Sequence, residues 1–230
     1  MDDLTLATDA LRQNLRELEV TNRLLGGNEV TTRGIAELFN SQFSILNSQF
    51  SIADLGCGGG DMLRLIAGFF RKKRISAALT GVDANAFMLD YARERTRDFP
   101  EISYRKLDVF SEEFSKTSFD VVTMTLFCHH FSDEQLVELF KTLRRQTRLG
   151  LVINDLHRHP LAYYSIWAIA TLLRTSHLYR HDSRLSVARA FRRGELESLL
   201  RRAGFTRFRI VWRWAFRWEV VAWCENFPKV

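Results

Sequence analysis

The sequence predicts an α/β fold, a mostly parallel sheet with helices on both faces, closed at its C-terminal end by an antiparallel hairpin. Three observations carry that expectation. A short apolar segment runs directly into a glycine-rich turn and a helical pattern at Phe50-Ser-Ile-Ala-Asp-Leu-Gly-Cys-Gly-Gly-Gly-Asp61. Strand-like and helix-like stretches then alternate, which is the pattern of a sheet covered by crossover helices. Near the end, two strand-like runs follow each other around residues 213–217, close enough for a hairpin only.

Taken in order, residues 3–25 place Leu4, Leu11, Leu15, Leu18 and Leu25 at roughly helical spacing, ending at Gly26-Gly27. A second short helix is predicted over Thr32–Phe39. Asn40–Leu46 (NSQFSIL) is then repeated at once as Asn47–Ile52 (NSQFSI). Two copies do not make a solenoid, and an insertion into a loop costs little, so the first copy reads as a loop insertion and the second as the start of the first strand. Further helices are predicted over Asp61–Arg71, Ala86–Phe99, Asp133–Gln146 and Gly194–Ala203. The remaining strands are expected at Ala78–Asp83, Ile102–Leu107, Phe119–Leu126, Leu149–Asn154, Phe208–Trp212 and Glu219–Cys224. Residues 156–193 are too many for an ordinary connection. The organisation expected is an N-terminal helical cap (1–49), a core (50–155), a lid or specificity insertion (156–193) and a C-terminal completion of the core (194–230).

Composition narrows the function classes. A chain of 230 residues can bury a substantial core, and its three prolines and ordinary apolar share argue against disorder. The three cysteines, Cys57, Cys128 and Cys224, are odd in number and form no CxxC pair. That excludes a fully paired disulfide framework, gives no support to a structural zinc site, and suits a reducing cytoplasm. The first residues lack the basic and apolar regions of a signal peptide, and the longest apolar run, Leu161–Leu173, falls short of the ~20 residues that span a bilayer. The expectation is a soluble, cytoplasmic protein. The net charge of +6 is compatible with nucleic acid, an anionic membrane surface or an acidic small molecule, and selects none of them.

The turn itself is the most specific motif. Asp54, Gly56, Gly58 and Gly60 fit acidic-x-Gly-x-Gly-x-Gly, where glycine allows a sharp turn and lets a ligand lie against bare backbone. A dinucleotide fingerprint would need glycine at 61, and the chain has Asp61. Asp83 ends the second predicted strand, where a carboxylate can accept both hydroxyls of a ribose, and Asp108 ends the third.

These residues together resemble the first motifs of the class I S-adenosylmethionine (SAM) dependent methyltransferases, over roughly residues 50–225 apart from 156–193. The resemblance implies a Rossmann-like seven-stranded sheet, SAM as cofactor and S-adenosylhomocysteine as its product. It implies a cofactor site built from Asp54, Gly56, Cys57, Gly58, Gly60, Asp83, Ala84, Asp108, Val109 and Leu126. In it, Asp54 orients the methionine amino group, Asp83 holds the ribose, and Asp108 accepts from the adenine amine between the apolar walls of Val109 and Phe110. A hydroxylic acceptor needs a base, and histidines follow the fourth and fifth strands: His129 and His130, His157 and His159. His129 and His157 are the candidate bases. No metal is expected, because Cys128-His129-His130 stands where a magnesium-dependent member would need an acidic ligand. Cys128 lacks the Pro-Cys context of a cytosine-5 nucleophile.

Residues 154–164, Asn-Asp-Leu-His-Arg-His-Pro-Leu-Ala-Tyr-Tyr, are similar to bacterial methyltransferases of polyketide and quinone-like products. The partner this implies is a small lipophilic acceptor methylated on oxygen, less readily on carbon. RNA methylation and a non-catalytic SAM-binding partner protein are the alternatives, and no dedicated nucleic-acid module is recognisable. The apolar stretch 161–173 could roof the acceptor, touch a membrane surface or form a homodimer contact.

Overall fold

Alternate residues of a strand face opposite sides of its sheet, so a strand covered on both faces is apolar throughout. The computed structural model, which describes residues 9–40 and 50–224, shows this in the central strands. In β1 (Phe50–Leu55), Ile52 enters one apolar layer while Ala53 and Leu55 enter the other. β4 (Phe119–Thr125) and β5 (Thr147–Leu156) divide in the same way, with Val121 and Val152 on the first side and Val122 and Ile153 on the second. Helices α2 (Gly27–Asn40) and α3 (Asp61–Lys73) cover the first face, where Ile35, Leu38, Leu63 and Ile66 are fully buried. On the second face lie α5 (Glu112–Ser115), α6 (Asp133–Gln146) and α9 (Arg193–Arg202), which supply Phe114, Phe140, Leu196 and Leu200.

With β2 (Ala77–Asp83), β3 (Ile102–Lys106), β6 (Phe208–Arg213) and β7 (Arg217–Trp223), the sheet has seven strands in the order β3-β2-β1-β4-β5-β7-β6. The first five strands in the chain run parallel, and β7 is antiparallel to both β5 and β6. The expected sheet and terminal hairpin are therefore present. The order in which strands are added to the sheet reverses between β1 and β4, and ligands of open α/β sheets bind outside the strand ends at such a point.

Several boundaries depart from the pattern reading. Helix α4 (Ala86–Arg95) stops before Phe99, because Thr96 bonds back to the Ala92 carbonyl and the chain then turns ahead of Pro100, a residue that disfavours helix before it. Helix α2 begins at Gly27 instead of Thr32. Gly27 is needed there because the Arg217 guanidinium lies against its backbone, with Cζ 2.7 Å from where a Cβ would stand. Segment 156–193 holds two helices, α7 (Pro160–Leu172) and α8 (His177–Arg189), the second rich in polar residues. Its buried stripe is Tyr179, Ser183 and Val187, and the serine in the middle masks the apolar period. Tyr179 docks α8 on α1 (Asp9–Leu24), donating its hydroxyl hydrogen bond to Thr21 at 2.8 Å. Most of the duplicated heptapeptide, residues 41–49, lies outside the described residues, and the second copy ends as Phe50-Ser51-Ile52 of β1.

Glu219 on β7 is fully buried and accepts from Arg213 (Nε to Oε2, 2.9 Å) and from Arg209, which also pairs with Glu37 of α2. Burial alone would raise the Glu219 carboxyl, but the two guanidinium donors outweigh it and hold the group below its ordinary value. A carboxyl depressed in the fold stabilises at neutral pH, and that contribution fades as pH falls through the acid range. Glu219→Gln is expected to cost about 2 kcal/mol in urea denaturation at neutral pH, less than a fully enclosed pair because the arginines are part exposed. The difference from wild type should shrink on acidification.

Candidate active site

The turn after β1 needs three residues in the left-handed region: Gly56, Gly58 and Gly60 have φ of +66°, +49° and +71°. At Gly56 a Cβ would also stand 2.2 Å from the Phe127 ring, so the position admits glycine alone. Asp54, on β1 just before the turn, is buried and accepts from the Thr123 hydroxyl of β4 at 2.7 Å. Burial pushes its carboxyl up to about 7; the Thr123 bond opposes the shift, and the nearby Asp61 and Asp83 add to it.

Asp83, at the end of β2, accepts the Gly58 N–H at 3.1 Å and the Asn85 N–H at 2.9 Å, which ties β2 to the turn. Its carboxyl is also raised by burial, against the backbone N–H groups of Asn85, Gly58 and Ala84. Asp108 follows β3, is exposed, and accepts the Phe110 N–H at 2.9 Å, while Val109 beside it is buried. Phe110, Phe131 and Phe127 run edge to face alongside, with centroids 5.3 and 4.9 Å apart.

Neither Asp54 nor Asp83 has a cationic partner among the described residues. Two largely buried carboxylates beside bare backbone call for N–H and O–H donors from a ligand. That donor demand fits a cationic, hydroxylated nucleoside.

A cavity of about 260 Å³ lies beside the turn that follows β4. Its walls are mainly apolar, with Leu18 from α1, Leu25 just after it, Ile166 and Ile169 from α7, Val187 from α8 and Phe216 before β7. Three polar side chains matter in it: His129, Tyr179 and Arg217. His129 sits on a 3₁₀ turn, Cys128–His130, with its ring buried and Nδ1 2.7 Å from Oδ1 of Asp155 on β5. Its backbone N–H donates to the other carboxylate oxygen at 3.3 Å.

Burial would raise the Asp155 carboxyl, but His129 and the backbone N–H groups of Leu156 and His129 outweigh it and hold it below the ordinary value. An ionised carboxylate only accepts, so Nδ1 is the nitrogen that donates to it, and Nε2 is the one left to face a ligand. Leu126, which also lines the cavity, is a non-glycine residue at φ +52°, a costly conformation that collects at functional sites.

Arg217 is wholly buried and donates to Asn22 of α1 at 2.6 Å and Asn154 of β5 at 3.3 Å, both neutral oxygens. No carboxylate among the described residues pairs with it, and its buried Nε has no partner. Burial lowers its pKa to about 10, opposed by Asp155 and Tyr179 nearby.

The structure brings Asp54, Gly56, Cys57, Gly58, Gly60, Asp83 and Ala84 together around one turn, with Asp108 and Val109 at the next strand end. It separates the two candidate bases. His157 pairs with no carboxylate among the described residues and is absent from the cavity's lining; its ring lies among His159, Phe216 and Trp218. Burial lowers the His157 pKa, and the neighbouring His159 and Arg192 lower it further. Asn154 and Asp155 hydrogen-bond Gly27, Thr31, Arg217 and His129. Burial raises the Cys128 thiol well above its ordinary value, which unsuits it as a nucleophile.

Asp155 as the partner of His129, and Arg217, had no signal in the sequence. Both depend on contacts between distant parts of the chain. Helix α1 is likewise an unforeseen part of the site: Leu15 lies 3.5 Å from the position of a Cβ on Gly58.

Residues 52–150 match the family described as a methyltransferase domain. A demethylmenaquinone methyltransferase of Thermotoga maritima is 32% identical over 103 residues, 44% of this chain and 42% of that protein. The chain thus spans less than half the length of the curated relative it matches. Among solved structures, a plantazolicin methyltransferase in complex with S-adenosylhomocysteine superposes with a TM-score of 0.62 at 17% identity, over 94% of this chain and 88% of that one. The DszA carbon methyltransferase gives 0.66 at 15% identity, over 88% and 54%. An O-methyltransferase-like protein of Nostoc punctiforme gives 0.60 at 18%, over 86% and 56%. At such identities the likeness is one of fold.

The His129–Asp155 geometry fixes a single imidazole tautomer. Nitrogen-15 NMR of the neutral His129 ring should show a protonated Nδ1 and an unprotonated Nε2. Asp155→Asn should abolish that preference.

Proposed function

We propose that the methyltransferase domain at residues 52–150 makes this chain a SAM-dependent methyltransferase, acting on the oxygen of a small lipophilic aromatic, quinone-like or polyketide acceptor. The observation that carries the reading is the His129–Asp155 pair, set at an apolar cavity beside the turn that follows β4. SAM, when bound, supplies an electrophilic methyl group on its sulfonium. Asp83 would receive the ribose hydroxyls, Asp54 the amino group, and Asp108 the adenine amine with Phe110 and Phe131 at the ring edge. Gly56, Gly58 and Gly60 leave the backbone open to it, with Cys57, Ala84, Val109 and Leu126 as apolar surroundings.

The chain's own chemistry is proton removal and the handling of charge. His129 Nε2 takes the acceptor's hydroxyl proton, and Asp155 balances the imidazolium that results. Arg217 places a fixed positive charge at the cavity wall, which favours the deprotonated acceptor in a medium that screens charge poorly. The apolar walls keep water from competing for the methyl group. A carbon acid would be served by the same base, and product analysis tells the two apart.

Calorimetry with SAM and S-adenosylhomocysteine, with NAD as a control, tests the cofactor half of the proposal. Asp83→Ala should weaken SAM binding about 100-fold by removing a charged acceptor for two hydroxyls, with the fold retained. His129→Ala should cut turnover by about 10²–10⁴ and leave SAM affinity nearly unchanged. Unaltered turnover in that variant would remove His129 as the base, and lost turnover in His157→Ala would move the role there.

Asp54 adds a dependence on pH. A carboxyl raised to about 7 in the free protein must ionise to hold an ammonium group. SAM affinity should therefore fall by about tenfold from about pH 8 to about pH 6. Asp54→Asn should bind more weakly and show a flat profile.

A further inference from the structure

We propose that α7 and the arginines that follow it form a docking surface for an anionic lipid bilayer, and that the acceptor enters the cavity from that bilayer. The second half rests on the function proposed above; the docking itself does not. Helix α7, PLAYYSIWAIATL, contains no charged residue. One side of it, Ala162, Ile166 and Ile169, lines the cavity. The other side faces outward: Leu161, Tyr164, Trp167 and Leu172 are 62, 66, 52 and 82% exposed. A helix on the surface of a globular protein ordinarily shows charge on its outer face, and this one shows tryptophan, tyrosine and leucine. Trp214, which lines the same cavity from the turn between β6 and β7, is 69% exposed.

The excess positive charge of the sequence falls in the segment that contains this helix. Residues 157–193 contain seven arginines, no lysine and one acidic residue, Asp182. Their formal charge equals the +6 of the entire chain, so the remainder is balanced. Arg174 directly follows α7 and is exposed; Arg180 and Arg184 lie one turn apart on α8. None of these three forms an ion pair with a carboxylate among the described residues, and Arg180 and Arg184 instead donate to backbone carbonyls of Thr175 and Arg180.

Tryptophan and tyrosine favour the headgroup level of a bilayer, aliphatic side chains its edge, and arginine its anionic phosphates. No described helix is long and apolar enough to cross a membrane, so α7 would lie in the interface plane. Leu161 and Leu172 offer nothing on which a nucleobase could stack, which disfavours RNA. A two-fold contact between copies would bring two such arginine-rich segments together against their mutual repulsion.

The test is co-sedimentation of the full chain with vesicles of phosphatidylcholine alone or mixed with phosphatidylglycerol. Binding is expected to the mixed vesicles only, with a blue shift of tryptophan emission, and it should weaken as salt rises. Arg180→Gln and Arg184→Gln should each reduce binding about fivefold. Trp167→Glu should abolish it, while SAM affinity by calorimetry stays at the wild-type value and reports an intact fold. None of these three residues lines the cavity.

No binding to mixed vesicles by the folded chain overturns the proposal, as does binding that Trp167→Glu leaves unchanged. It is also overturned by a dimer that Trp167→Glu dissociates, or by binding to an RNA homopolymer in place of vesicles. Vesicle binding without SAM affinity would uphold the docking surface and overturn the proposed function instead.

Discussion

A guanidinium without a carboxylate organises the part of this molecule that surrounds the cavity. Arg217 stands at the start of β7, and its charge is spread over the side-chain oxygens of Asn22 and Asn154 while its face lies on the backbone of Gly27. Asn154 in turn donates to the Gly27 carbonyl and the Thr31 hydroxyl. One buried cation therefore joins the end of α1, the start of α2, β5 and β7. Such burial is expensive, since neutral oxygens recover only part of the hydration a guanidinium loses. What it secures is position: α2 is pinned to the sheet, α1 is directed across the strand ends, and the cavity between them gains a positive wall. Stability is yielded at a site where chemistry would use the charge, a common exchange in enzymes.

The two halves of the site are built on different physical terms. Around the glycine turn, acceptors stand largely buried without cations, and burial has raised both Asp54 and Asp83. In the cavity the reverse holds, with a cation that lacks an anion and an imidazole whose carboxylate is held low by its partner. A positively charged nucleoside and an acceptor that sheds a proton are complementary to these environments in turn. The boundary between them is the end of β4, where Leu126 is forced to positive φ and Phe127 closes on Gly56.

The placement of the residues around the glycine turn was legible in the chain because they are sequence neighbours of strand ends. Asp54 with its glycines, Asp83 and Asp108 each follow an apolar strand pattern, and strand ends of a parallel sheet converge without further instruction. The sheet and its terminal hairpin were legible for the same reason, since strand period and connection length are local properties. The contacts that line the cavity were not. Asp155 and His129 are 26 positions apart, and Asn22 and Arg217 are 195 apart, so nothing short of the folded topology pairs them. His157 was as good a candidate as His129 by sequence, and only the position of Asp155 distinguishes them. Helix α8 was hidden by Ser183 within its buried stripe, where a hydroxyl bonded to the backbone carbonyl of Arg180 takes the place of an apolar side chain.

Helix α1 has a further consequence. It is 16 residues long, a rod of about 24 Å, and it serves as a shared partition. Near its first half, Leu11 and Leu15 rest on Met88 and Tyr91 over the glycine turn, while Leu18, Thr21 and Asn22 in its second half form a wall of the cavity. A rigid rod cannot tilt at one end and stay still at the other. Any movement that admits a nucleoside at the turn therefore alters the room left for an acceptor, and an occupied cavity resists that movement. By the reciprocity of linkage, whatever factor an occupant of one end changes affinity by at the other, the reverse change has the same factor.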